Sequence, residues 1–179
     1  MSRIIVCPLS RIDDVIKAER ASHLLTLLGP DYMIGHHGAM AADRHLRLRV
    51  NDIPESLPGQ IAPQRSHAEQ VLAFADAWDR TQPMVIHCWA GISRSTAAMW
   101  MTLCRLNPDA DELEVLSAMR ARAPHIAPNR LLVAHADDLL GRDGRMVDAL
   151  DAVGPAVAAS EGFPFFLPAD FARLTADTA

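Results

Sequence analysis

Residues 84–106 constrain the fold more than any other stretch of this chain. A short apolar run, Met84-Val85-Ile86, reads as a buried strand. It passes through His87-Cys88-Trp89-Ala90-Gly91-Ile92-Ser93 into Arg94-Ser95 and a segment that is apolar nearly all round. A surface helix keeps one polar face, so a helix carrying Ala97, Ala98, Met99, Trp100, Met101 and Leu103 belongs at the centre of a core. A buried strand feeding such a helix through a short loop is a building unit of layered α/β domains. The same unit gathers main-chain N–H groups and the positive end of a helix dipole around one point, which suits an anion.

The rest of the chain extends that pattern. Residues 4–7, 23–28 and 46–50 read as further strands. Ser10 is placed to cap a helix to about residue 20, with Asp13 and Asp14 in its first turn. Gly29-Pro30-Asp31 is a turn signal, and Pro54, Pro58, Gly59 and Pro63 mark a long irregular connection. A helix is expected over 65–80, with Val71, Phe74, Ala75 and Trp78 on one face. After Asn107-Pro108, Asp109 and Glu112 resemble a capping box for a helix bearing Leu113, Leu116 and Met119. Another helix is expected with Pro128 in its first turn and Gly141 at its end, and a last one runs to Gly154. Strands alternating with helices, then a helical C-terminal half, imply an α/β domain. Its sheet would be mostly parallel, of about four to five strands flanked by helices. Residues 1–153 would form this single domain. Residues 154–179 would be a tail packed on it by Phe163, Phe165 and Phe166, or one that walls a groove or a dimer contact.

Composition narrows the partners. At 179 residues, half of them apolar, the chain can bury one sizeable core. A net charge of -5 without any basic block argues against nucleic acid and anionic membrane as partners. No apolar run approaches ~18 residues, and the N-terminal apolar stretch is too short for a signal peptide. Three widely spaced cysteines, Cys7, Cys88 and Cys104, fit neither a disulfide framework nor a zinc site, and they suit a reducing cytoplasm. The eight histidines, His36-His37 included, show no metal-binding helix spacing, so no metal or other cofactor is expected.

Within the loop, the cradle for an anion would be the N–H groups of Trp89, Ala90, Gly91, Ile92, Ser93 and Arg94. The Arg94 guanidinium adds a planar fork matched to two phosphate oxygens. Cys88, held in that positive field, would sit as the nucleophilic thiolate. Such a loop is equipped for phosphoryl transfer.

His87-Cys88-x-x-Gly91-x-x-Arg94-Ser95 resembles the signature of the cysteine-dependent protein tyrosine phosphatase superfamily, in its compact dual-specificity-like or bacterial branch. The resemblance covers residues 3–140. It implies an enzyme hydrolysing phosphate monoesters, phosphotyrosine and also phosphoserine or phosphothreonine, through a phosphocysteine on Cys88. Its substrate would be a phosphorylated protein or small phosphate ester, and inorganic phosphate the product. By the same analogy His87 holds the loop and Cys88 by hydrogen bonds, and Ser95 eases departure of the thiolate; a simple N-cap or first-turn place in the helix is the plainer use of Ser95. The acid for the leaving oxygen would be Asp52, on the loop after a strand. Glu55 is the nearest rival, Asp43 a more distant one, and an Asx-turn before Pro54 is the plainer use of Asp52. Ala127-Pro128-Asn129 resembles a late Pro-Asn stretch of small dual-specificity phosphatases, with Asn129 steadying the pocket or simply capping a helix. The variable loop positions carry no lysine, unlike branches acting on phosphoinositides, and Tyr32 sits in no phosphotyrosine-clamping motif. A non-catalytic phosphate-binding protein and a nucleotide or small-molecule phosphatase share the same loop and remain alternatives.

Overall fold

The structure is a computed structural model that describes residues 2–172; residues 173–179 of the expected tail lie outside the described residues. Five strands form one sheet: β1 (Arg3–Pro8), β2 (His23–Leu28), β3 (His45–Arg49), β4 (Met84–Cys88) and β5 (Phe165–Pro168), in the order β3-β2-β4-β1-β5. β1 to β4 are mutually parallel where they pair, and β5 joins β1 antiparallel. The expected four to five strands in a mostly parallel sheet are therefore present. Central strands β2 and β4 are buried along their whole length, as parallel strands covered on both faces must be, whereas edge strand β3 exposes Arg47 and Arg49.

Strand alternation sorts the core into two layers. Ile5, Cys7, Leu24 and Val85 pack with Ile12, Val15 and Ile16 of α1 (Ile12–Glu19) on one face. Ile4, Val6, Leu25, Leu27 and Ile86 face the larger cluster, which is built on α2 (Arg65–Ala77), α3 (Arg94–Leu106), α4 (Glu112–Arg122), α5 (Arg130–Leu140) and α6 (Arg145–Ala152). α3 is buried from Arg94 to Cys104, which is why its sequence has no polar face.

Several local expectations need correction. Ser10 does not cap a helix: residues 9–11 form a 3-10 turn, and the Ser10 hydroxyl donates to Glu161. The cap of α4 is Asp111, whose carboxylate accepts Glu114 N–H at 2.9 Å. Glu112 is instead drawn inside to meet Arg142 at 2.9 Å, so the Asp109–Glu112 capping box does not form. Pro128 precedes α5 rather than opening it, because Asn129 takes the cap position. α2 ends at Ala77 rather than 80, with the Trp78 indole N–H donating to Gln82 O at 3.0 Å. Residues 165–168 of the expected tail do not merely pack on the domain; they extend its sheet, with Leu167 fully buried.

Candidate active site

Parallel strands put their carboxyl ends along one edge of the sheet, and open α/β sheets bind ligands in the crevice there. A cleft of about 400 Å³ lies at this edge. It is lined by Leu28 at the end of β2 with Gly29 and Tyr32 beyond it, Asn51 and Asp52 after β3, and Trp89 and Arg94 after β4. Sequence positions scattered from 28 to 94 thus meet because three strand ends do.

The loop between β4 and α3 takes its shape from Gly91. Its φ is +70°, and a Cβ there would stand 2.8 Å from Pro8 N and 2.9 Å from the Cys7 carbonyl carbon, so only glycine lets the loop lie against β1. The loop carbonyls are drawn outward. Trp89 O accepts Leu9 N–H at 3.1 Å, Ala90 O accepts Gly162 N–H at 2.8 Å, Ile92 O accepts Ala127 N–H at 3.0 Å, and Ser93 O accepts Ala97 N–H at 3.0 Å. Peptides are planar and trans, so outward carbonyls turn the N–H groups of residues 90, 91, 93 and 94 inward. No acceptor among the described residues takes the N–H groups of residues 89–93. The first N–H groups of α3, which begins at Arg94, add to this ring.

Cys88 lies at the end of β4, 1% exposed, with Sγ 3.1 Å from Ser95 Oγ. Arg94 is fixed by donation from one terminal nitrogen to Val50 O at 2.8 Å; its buried Nε has no hydrogen-bond partner and stands 3.8 Å from Asp52 Oδ2. Asp52 Oδ1 accepts from Ser93 Oγ at 2.6 Å and from Asn129 Nδ2 at 2.9 Å, leaving Oδ2 toward the arginine. Asn129 both caps α5, its Oδ1 accepting Leu132 N–H at 3.2 Å, and holds Asp52. Glu55 and Asp43 are exposed and do not line the cleft. His87 is fully buried, with Nδ1 3.4 Å from Cys88 O; burial pushes its pKa down to about 4, against the upward pull of that hydrogen bond. Burial pushes the thiols of Cys7 and Cys104 up to about 12, so both stay protonated at neutral pH.

Three contributors escape a sequence reading. Val50 acts through its carbonyl, which no residue type announces. Gly162, about seventy residues downstream, supplies a main-chain donor to Ala90 O. Tyr32 carries a signal only in being an aromatic just past a Gly-Pro turn. Its ring meets Trp89 edge-to-face at 4.9 Å, and the two are 62% and 53% exposed, forming an aromatic rim to the cleft.

No family model and no curated protein matches this sequence. Solved structures do match it in fold. DUSP15 aligns with a TM-score of 0.59 at 17% identity, covering 85% of this chain and 92% of its own. PTPMT1 in complex with PI(5)P aligns at 0.58 and 15% identity, covering 78% and 94%. The human tyrosine phosphatase-like serine/threonine/tyrosine-interacting protein aligns at 0.57 and 16%, covering 76% and 87%. This chain has the fold of the dual-specificity and protein tyrosine phosphatases.

Proposed function

We propose that this protein hydrolyses phosphate monoesters through a phosphocysteine on Cys88. The observation that carries the reading is the ring of inward N–H groups and the unpartnered Arg94 Nε, gathered where β4 delivers a cysteine sulfur. Amide dipoles and a guanidinium fixed in advance stabilise the charge that develops on the equatorial oxygens of the transferring phosphoryl group. The Cys88 thiolate attacks phosphorus in line, the bond to the leaving oxygen breaks, and Asp52 gives that oxygen its proton. Asp52 then takes a proton from water as it attacks the phosphocysteine, phosphate departs, and the Ser95 hydroxyl donates to the leaving sulfur.

The rim supports an aromatic leaving group. Trp89 and Tyr32 offer flat apolar surface, and Arg94 is the one cation among the cleft-lining residues. That favours an aryl phosphate such as phosphotyrosine over a polyanionic headgroup. The test is hydrolysis of p-nitrophenyl phosphate by the wild type and by Cys88→Ser. Turnover in the wild type with none in the variant supports the enzyme. Tungstate binding without turnover in the wild type would replace it with a phosphate-binding protein, and no binding at all would refute both.

A further inference from the structure

We infer that Thr26 and His45 are positioning residues which set the proton on His87 and thereby aim the first amide of the phosphate loop; this rests on the function proposed above. β4 presents Cys88 to the helix-rich face of the sheet, and alternation puts His87 on the other face, with Thr26 of β2 and His45 of β3. There the three side chains form an unbroken line. His37 N–H donates to His45 Nδ1 at 3.0 Å, His45 Nε2 lies 2.9 Å from Thr26 Oγ1, and Thr26 Oγ1 lies 2.7 Å from His87 Nε2. The outer end is tied to α1, since the His37 ring meets Asp13 Oδ1 at 2.9 Å.

Only one placement of protons satisfies every contact. His45 Nδ1 is an acceptor, so in the neutral ring Nε2 carries the hydrogen and donates to Thr26. The threonine oxygen, receiving there, gives its single hydrogen to His87 Nε2. His87 must then carry its proton on Nδ1, which points at Cys88 O, 3.4 Å away. All three residues are buried, with Thr26 and His87 fully so. The peptide joining Cys88 to Trp89 is planar, so a donor on its carbonyl turns Trp89 N–H into the ring around the sulfur. Reversing the His87 tautomer would set a bare nitrogen lone pair against Cys88 O and release that peptide.

Thr26→Val keeps the branched shape in a buried strand and removes the hydroxyl; Thr26→Ser keeps the hydroxyl. The test pairs ¹⁵N NMR of the ring nitrogens with tungstate affinity, neither of which requires turnover. In the wild type we expect the proton on Nδ1 of His87 and on Nε2 of His45. In Thr26→Val we expect His87 to populate the other tautomer and tungstate to bind about tenfold more weakly, with Thr26→Ser restoring both. The wild-type spectra serve even if the valine variant does not fold: either histidine in the opposite tautomer overturns the inference. So does a folded Thr26→Val that binds tungstate as the wild type does. A wild type that binds no tungstate overturns the proposed function along with it.

Discussion

Replacing Gly91 with alanine probes how much of the geometry of the loop between β4 and α3 is held against β1. At φ +70° a non-glycine residue costs about 1–2 kcal/mol for the left-handed conformation alone. The added methyl would also meet Pro8 N at 2.8 Å and the Cys7 carbonyl carbon at 2.9 Å, which are main-chain atoms that cannot rotate aside. Overpacking of that kind adds about 1–3 kcal/mol, for a sum near 2–5 kcal/mol. At this chain length each kcal/mol lowers Tm by roughly 2–4 °C, so a fall of about 4–20 °C is expected. Gly141 supplies the control: its φ is +62° but nothing lies within 4 Å of its Cβ position, so Gly141→Ala should lose only the backbone part, about 1–2 kcal/mol. Calorimetric melting of both variants, with tungstate titration beside it, separates the two contributions. If the loop escapes strain by lifting off β1, Gly91→Ala keeps its Tm and loses tungstate affinity. Equal melting losses in the two variants, with tungstate binding intact in Gly91→Ala, would refute the reasoning.

Asp52→Asn should reduce turnover of alkyl phosphates by about 10²-fold or more, while p-nitrophenyl phosphate, whose leaving group needs little protonation, should fall less than about tenfold; equal small losses would remove Asp52 as the acid. Glu112 and Arg142 form a buried pair at 2.9 Å, and Arg142 also donates to Cys104 O at 2.9 Å. Glu112→Leu strands that guanidinium and should cost about 3–5 kcal/mol in urea unfolding, and a loss below about 1 kcal/mol would refute this account. His87 and His45 are held neutral by burial, their pKa values pushed from 6.5 down to about 4. The unfolded chain therefore binds more protons than the folded one between pH 6.5 and 4. Stability is full above 6.5 and falls as the pH is lowered through that window, with a slope approaching ~1.4 kcal/mol per pH unit for each histidine. Urea midpoints that do not move between pH 7 and pH 5 would contradict it.

Local chemistry was legible wherever adjacent residues make it. The strand-loop-helix unit at 84–106 needs apolar residues before, glycine within and an apolar helix after, and all three are written in order. β4, the loop and α3 follow from them, as does the mostly parallel sheet. Caps were less legible: Asp109 reads as the cap of α4, yet Asp111 takes that place. Glu112, the other half of the expected box, turns inward to Arg142, thirty residues away, a partner no local pattern announces. Residues 165–168 likewise read as an aromatic-rich tail, because nothing local says that β1 has a free edge for them.

The amino-acid order alone determined which groups could do chemistry: a sulfur, a guanidinium, a carboxylate and a glycine, each identified by its type and its near neighbours. Tertiary structure alone decided how they are held. Val50 O orients Arg94, Gly162 N–H draws Ala90 O outward, and the line of Thr26 and His45 fixes the proton on His87. These contacts run between main-chain atoms and far-separated strands. Main-chain groups are the same in every residue, and only the folded sheet determines which of them meet.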